Sequence, residues 1–290
     1  MELFAAVCRT GSVTYAAAAT GMSQPAASAM LRQMESRLGF ELFTRRQRRL
    51  ELTSNGRMLL PDVTHALAAL DSVERLAESM GRKRPGRLIM GAISAAGASI
   101  LPPAVHSLQR EHPHVTVVLR SGTATEVVEW AASQRIDLGV VLGSAVHEHV
   151  GFQLLADLHL VCAMPRRHPL ARQKEVTLEQ LASGPYVAHS RYLPIGALTA
   201  AALEAEGLKF QPAIEVSLFS AACAFSEAGC GVAVLDNLTG LYAQQHGLAV
   251  RRLRAPGSLS LSLVWPLARG LNIVAKQFVE YLRQPLAQLA

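Results

Sequence analysis

Cysteine is scarce in this chain of 290 residues: Cys8, Cys162, Cys223 and Cys230 are all there are, and none stands in a C-x-x-C pair. That spacing argues against a disulfide scaffold or a cysteine zinc knuckle and for reduced, buried thiols. Charged residues are few, at 17%. Yet no apolar run approaches the roughly 18 residues that a membrane span requires. The N-terminus shows no basic stretch followed by an apolar core, so no secretory leader is read and a cytoplasmic location is expected. A G-x-S-x-G elbow, a phosphate loop and an H-E-x-x-H helix are all missing. Gly229-x-Gly231 lacks the third glycine of a dinucleotide fingerprint and follows an expected helix. These absences tell against an enzyme and imply no cofactor. His112/His114 and His147/His149 sit in expected loops without further ligands at metal spacing, so no metal is expected either.

What is present is unevenly placed. Half of the chain is hydrophobic, enough for a sizeable core, and the formal net charge is +6. Residues 1–58 hold eight arginines, no lysine and four acids. Arginine is the cation suited to forked contacts with phosphate and guanine. In the same segment Met1 to Arg9 reads as a helix, and Ser12 caps an alanine-rich second helix that Gly21 breaks. Ser23 caps a third helix with Pro25 tolerated in its first turn; Ala27, Leu31, Met34 and Leu38 recur at helical spacing until Gly39. Leu42-Phe43 and Leu50-Glu51-Leu52 are short strands with the arginine cluster between them. The layout is helix, tight turn, helix, then an arginine-tipped hairpin, which suits DNA.

From Thr53 or Ser54 a long helix extends to about Gly81. Leu60, Val63, Leu67, Leu70, Val73, Ala77 and Met80 form an apolar stripe along it, and so long a stripe points to pairing with a second chain. Arg82-Lys83-Arg84-Pro85-Gly86 is a basic hinge. Beyond it strands and helices alternate, which implies parallel sheets with crossover helices. About ten strand candidates suit two small lobes better than one large sheet.

The run Ser23-Gln24-Pro25-Ala26-Ala27-Ser28, followed by Leu42-Phe43-x-Arg45 and Leu52-Thr53-x-x-Gly56, resembles the LysR-type transcriptional regulators. The likeness continues through Thr125–Trp130, Asp137-Leu138-Gly139, Pro165-x-x-His168-Pro169-Leu170 and Gly229-x-Gly231-Val232-Ala233-Val234. Asp236-Asn237-Leu238-Thr239 and Ser220-Ala221-Ala222-Cys223 look most like the branch of lysine-biosynthesis and opine and arginine catabolism regulators.

The resemblance implies a winged helix-turn-helix over residues 1–58 and a linker helix and hinge for dimerisation over 59–84. It implies a periplasmic-binding-protein-like α/β effector domain over 85–290. The lobes of that domain are expected at about 85–157 with 266–290, and at 158–265. It also implies a homodimer or homotetramer and double-stranded promoter DNA as partner. A small-molecule effector, an amino acid or related carboxylate, would bind between the lobes, with no membrane partner. The chain departs from the family by starting inside its first helix, and by carrying Ala29 where Arg or Lys is frequent.

On that reading Ser23 meets phosphate, while Gln24, Pro25, Ser28 and Arg32 face the major groove or backbone. Arg45, Arg46, Arg48 and Arg49 form the wing, suited to a narrow minor groove. In the effector domain, ligands bind where strand ends and helix N-termini converge. Ser94, Ala95 and Ala96 follow the first strand there, and Thr123, Ser144, Ser190, Arg191, Ser220 and Asp236 lie at comparable points. Thr123 also fits a capping box with Glu126, a structural role that by itself would explain it. A secreted solute-binding protein is the rival reading; it has no use for the arginine-tipped N-terminal unit.

Overall fold

The computed structural model describes residues 1–46, 49–80, 86–143 and 147–289, with backbone alone at 45, 46, 49, 65, 68 and 71–80. The chain divides into two compact units, Met1–Arg84 and Pro85–Ala290.

In the first unit, α1 (Glu2–Thr10), α2 (Val13–Ala19) and α3 (Gln24–Leu38) precede an antiparallel hairpin of β1 (Phe43–Arg46) and β2 (Arg49–Leu52), and α4 (Ser54–Met80) follows. The turn between α2 and α3 is built from its termini. Gly21, at φ 68°, donates its N–H to Ala18, and Met22 donates to Ala17, closing α2 with paired bonds in a left-handed turn. The Ser23 hydroxyl then accepts from Ala26 N–H at 3.4 Å and opens α3. Leu3, Ala6, Val7, Ala16, Ala17, Ala27 and Leu31 form the core these helices share.

Two expectations change here. The arginines are not confined to a loop: Arg45, Arg46 and Arg49 lie within the strands, with Arg46 in register opposite Arg49. The boundary drawn at 58/59 cuts through α4. Its Leu59, Leu60, Val63 and Leu67 pack with Phe4 and Leu42 of their own unit, so the first half of the stripe completes this core instead of facing a partner. Leu70, one turn further, is 60% exposed.

The second unit contains two mixed sheets. One has the order β4-β3-β5-β13-β6, from β3 (Arg87–Ala92), β4 (Thr116–Ser121), β5 (Leu138–Leu142), β6 (Val150–Leu158) and, late in the chain, β13 (Leu259–Pro266). Around it lie α5 (Ser94–Ala98), α6 (Leu101–Glu111), α7 (Ala124–Ala132) and the C-terminal α12 (Ile273–Ala287). The other sheet has the order β10-β9-β11-β7-β12-β8. Its strands are β7 (Leu160–Met164), β8 (Glu175–Thr177), β9 (Tyr186–His189), β10 (Ile214–Val216), β11 (Val232–Asp236) and β12 (Ala249–Arg254). Its helices are α8 (Leu178–Ala182), α9 (Pro194–Ala205), α10 (Phe219–Glu227) and α11 (Asn237–Gln245).

The lobe boundary at 265 is therefore corrected: β13, placed in the second lobe by chain order, pairs with β5 and β6 of the first. The all-parallel expectation is corrected with it. The chain crosses between lobes after β6 and again after β12, so β7 and β13 enter their sheets antiparallel to β11 and β5. Asp137 shows why its motif has that form: its Oδ2 accepts from Ile89 N–H at 2.7 Å, locking β5 to β3. A Cβ on Gly139 would stand 2.5 Å from Val127, so only glycine lets α7 approach.

Candidate nucleic-acid interface and effector site

On α3, Ala27 and Leu31 are buried, while Ser23, Gln24, Pro25 and Arg32 are exposed and Ser28 is half-buried. Spacing of three to four residues puts Gln24, Ser28 and Arg32 along one face. The Gln24 amide donates to Ser28 Oγ at 3.0 Å, so two of the side chains proposed to read bases already fix one another's orientation. Arg45, Arg46 and Arg49 are placed by their strands; Arg48 lies outside the described residues. Two residues of this unit were not foreseen. Glu35 accepts from Leu42 N–H at 2.8 Å and Phe43 N–H at 3.2 Å, joining α3 to the hairpin. Tyr15 on α2 is 72% exposed. Glu35 left one signal, an acid on the helix of an arginine-rich segment.

In the second unit α5 packs against α11, and there the lobes meet. Ser94 is exposed at the start of α5, while Ala95 and Ala96 are buried against that contact. Thr123 is engaged in a capping box: its Oγ1 accepts from Glu126 N–H at 3.2 Å, and Glu126 Oε2 accepts from Thr123 N–H at 2.8 Å and Oγ1 at 2.9 Å. Those bonds hold the Glu126 carboxyl below its usual range. Ser144 lies outside the described residues. Ser190, half-buried, follows β9 directly, its N–H bonded to Val216 O at 3.0 Å. Arg191 is taken up locally: it pairs with Glu204 at 2.8 Å and lies over the Phe210 ring at 5.8 Å. Ser220 is exposed in the first turn of α10, whose N-cap residue, Leu218, makes no side-chain cap.

Asp236 is fully buried. Its Oδ1 caps α11 by accepting from Thr239 N–H at 2.7 Å, and burial pushes its carboxyl up. Next to it Asn237 joins distant segments: its Oδ1 accepts from His159 N–H at 3.2 Å and its amide donates to Leu289 O at 2.7 Å. His189, absent from the expected site, is 6% exposed, and burial lowers its imidazole to about 4, so the ring is neutral near pH 7.

The cysteines are not uniformly buried. Burial raises Cys8 and Cys223 to about 11 and Cys162 to about 12, which makes poor nucleophiles of them. Cys230 is exposed. Among the described residues no group of three His, Cys, Asp or Glu could hold a metal, and no helix is long and apolar enough to cross a membrane.

A helix-turn-helix with a basic hairpin and a long helix, on a chain that also carries a two-lobed α/β domain, defines a DNA-binding regulator with an effector domain. Residues 1–57 match the bacterial regulatory helix-turn-helix proteins of the lysR family, and residues 81–287 match the LysR substrate binding domain. The chain belongs to the LysR family of transcriptional regulators. It is 30% identical over 291 residues to the transcriptional activator protein LysR of Escherichia coli (strain K12), covering 100% of this chain and 93% of that protein. Regulatory protein NocR of Agrobacterium fabrum (strain C58 / ATCC 33970) is 26% identical over 242 residues, 83% of this chain and 81% of NocR. In fold it resembles full-length CbnR complexed with its target DNA, with a TM-score of 0.72, 21% identity and 98% of both chains covered.

Proposed function

We propose that this regulator binds double-stranded promoter DNA through α3 and the arginine hairpin, as a homodimer or homotetramer. A small-molecule effector bound between the lobes, an amino acid or a related carboxylate, modulates that binding. The observation that carries the DNA reading is the exposed row of Gln24, Ser28 and Arg32 on a helix whose opposite face is core. Ser23 at the N-terminus of α3 faces phosphate, and Arg45, Arg46, Arg48 and Arg49 reach the flanking groove. Self-association uses the outer half of α4, where the stripe continues past the exposed Leu70, together with the effector domains. The resemblance of Asp236-Asn237-Leu238-Thr239 and Ser220-Ala221-Ala222-Cys223 to the branch of lysine-biosynthesis and opine and arginine catabolism regulators supports an amino-acid-related effector, and the protein acts in the cytoplasm as a regulator, not an enzyme.

Fluorescence anisotropy of the full chain on the duplex upstream of its own gene, over a salt series, tests the DNA reading. Binding should be tight, salt-steep and stronger than to a scrambled duplex; equal affinity for both duplexes would sink it. A thermal-shift screen tests the effector class: stabilisation by an unrelated class of compound, with amino acids and opines inert, would overturn it.

A further inference from the structure

Among the described residues two buried side-chain atoms lack a hydrogen-bond partner, His189 Nε2 and Asp236 Oδ2. Such atoms are rare in folded proteins and call for an explanation. Both end strands of the second sheet at the same edge. β9 and β11 run parallel, with Val232 opposite Tyr186 and Ala233 opposite Val187, so Asp236 continues to a position level with Ser190. Asp236 has its cap to account for it; His189 has nothing.

Its surroundings are set by the sheet. Side chains alternate along a strand, so His189 shares its face with Val187. Val187 packs in one cluster with Phe219, Ala222 and Cys223, so this is the face α10 covers. His189 pairs in register with Val216, the last residue of β10, and α10 begins three residues later at Phe219. His189 therefore lies at the end of the sheet where α10 presents its first N–H groups. Those groups have no side-chain cap, and Ser220 adds an exposed hydroxyl beside them. Free N–H groups at a helix N-terminus favour an anion, and the tautomer of His189 that carries its proton on Nε2 adds a further donor.

We propose that the second lobe receives the effector's carboxylate at His189 and the first turn of α10, and that Arg191 does not. Arg191 is unsuited because its guanidinium already bonds to Glu204. This rests on the carboxylate reading of the effector.

The test uses full-length chain labelled with ¹⁵N-histidine, titrated with sodium acetate and with glycine. Methylammonium chloride at equal ionic strength is the control. The His189 ring signals are assigned by their loss in His189→Gln. Acetate and glycine should move the Nε2 signal saturably and methylammonium should not. In thermal-shift titrations His189→Leu should weaken acetate binding about tenfold, while His189→Gln, which keeps a donor, retains most of it. An unmoved Nε2 signal, or full stabilisation by acetate in His189→Leu, overturns the assignment. Because the broader effector screen reads any site, a stabilising amino acid that leaves His189 unmoved removes this site and leaves the effector class standing.

Discussion

Glu35 holds the backbone of Leu42: the carboxylate near the end of α3 accepts from Leu42 N–H at 2.8 Å and from Phe43 N–H at 3.2 Å. The wing is thereby referenced to the helix that precedes it. Leu42 is fully buried, so loss of this acceptor leaves a donor with no water to turn to. Glu35→Ala should destabilise the first unit by about 2 kcal/mol, and Glu35→Gln, which retains one acceptor oxygen, by about half of that. Urea unfolding followed by circular dichroism measures this. DNA affinity should fall with the salt slope unchanged, because no phosphate contact is removed; a flatter slope would mean that Glu35 acts on the charge array.

Gly56 lies where α4 passes the wing. A Cβ there would stand 2.4 Å from Leu42 O and 2.7 Å from Leu52 Cδ2. The carbonyl is fixed, since it also accepts from Thr53 N–H at 3.0 Å. Gly56→Ala should therefore cost about 3 kcal/mol, at the upper end of overpacking effects. Thr53 completes the local logic by giving its hydroxyl to Glu41 O at 2.8 Å and accepting from Gly56 N–H at 3.0 Å. A Gly56→Ala chain that melts with the wild type would refute the steric account.

How much of this was legible depends on the range of the interaction. The helix-turn-helix could be read because its punctuation is local: Gly21, Ser23, Pro25 and Gly39 act on their own turns. β12 is not legible as a strand, because Ala249–Arg254 is arginine-rich; Arg251 is satisfied by the carbonyls of Gln173 at 2.7 Å and Ala171 at 2.6 Å, far back in the chain. β13 was read as a strand but given to the wrong lobe, since strand order within a sheet is a long-range fact. The candidate site follows the same rule. Thr123 and Glu126 announce a cap by spacing alone, whereas His189 carries no motif. Its orphaned nitrogen exists only once β9, β10 and α10 have packed around it.

Arg191 was the obvious cation for a carboxylate, and its pairing with Glu204 argues the reverse. The pair is half exposed, so its own contribution to stability is small. Arg191→Ala should leave the acetate response of His189 within about twofold of wild type. A tenfold loss would return Arg191 to the site.

In the sequence Arg48 falls between Arg46 and Arg49, which end β1 and begin β2. If the hairpin enters a groove beside phosphates, Arg48→Ala should weaken binding to every sequence alike. It should also flatten the plot of log affinity against log salt by about one unit. Arg32→Ala, on the exposed face of α3, should instead change the preference between operator variants if it reaches base edges. Anisotropy on matched and single-mismatch duplexes separates the two; identical behaviour of both variants would erase the division between wing and recognition helix.

The pH dependence of stability follows from the same buried imidazole. Burial lowers His189 from an ordinary 6.5 to about 4. As pH falls below 6.5 the unfolded chain takes up this proton and the folded chain does not. The contribution is therefore complete above 6.5 and is lost as pH falls through the window down to about 4. At pH 5 the loss should reach about 2 kcal/mol. His159 is lowered too, by burial and then by the charge of Arg252, and adds in the same direction. Asp236 opposes both: burial raises its carboxyl, so at lower pH the folded chain binds that proton before the unfolded one does and regains part of the loss. His189→Leu should flatten the fall in urea midpoint between pH 7 and pH 5 without abolishing it. Equal slopes for the two chains would mean that the His189 ring is not held neutral in the folded protein.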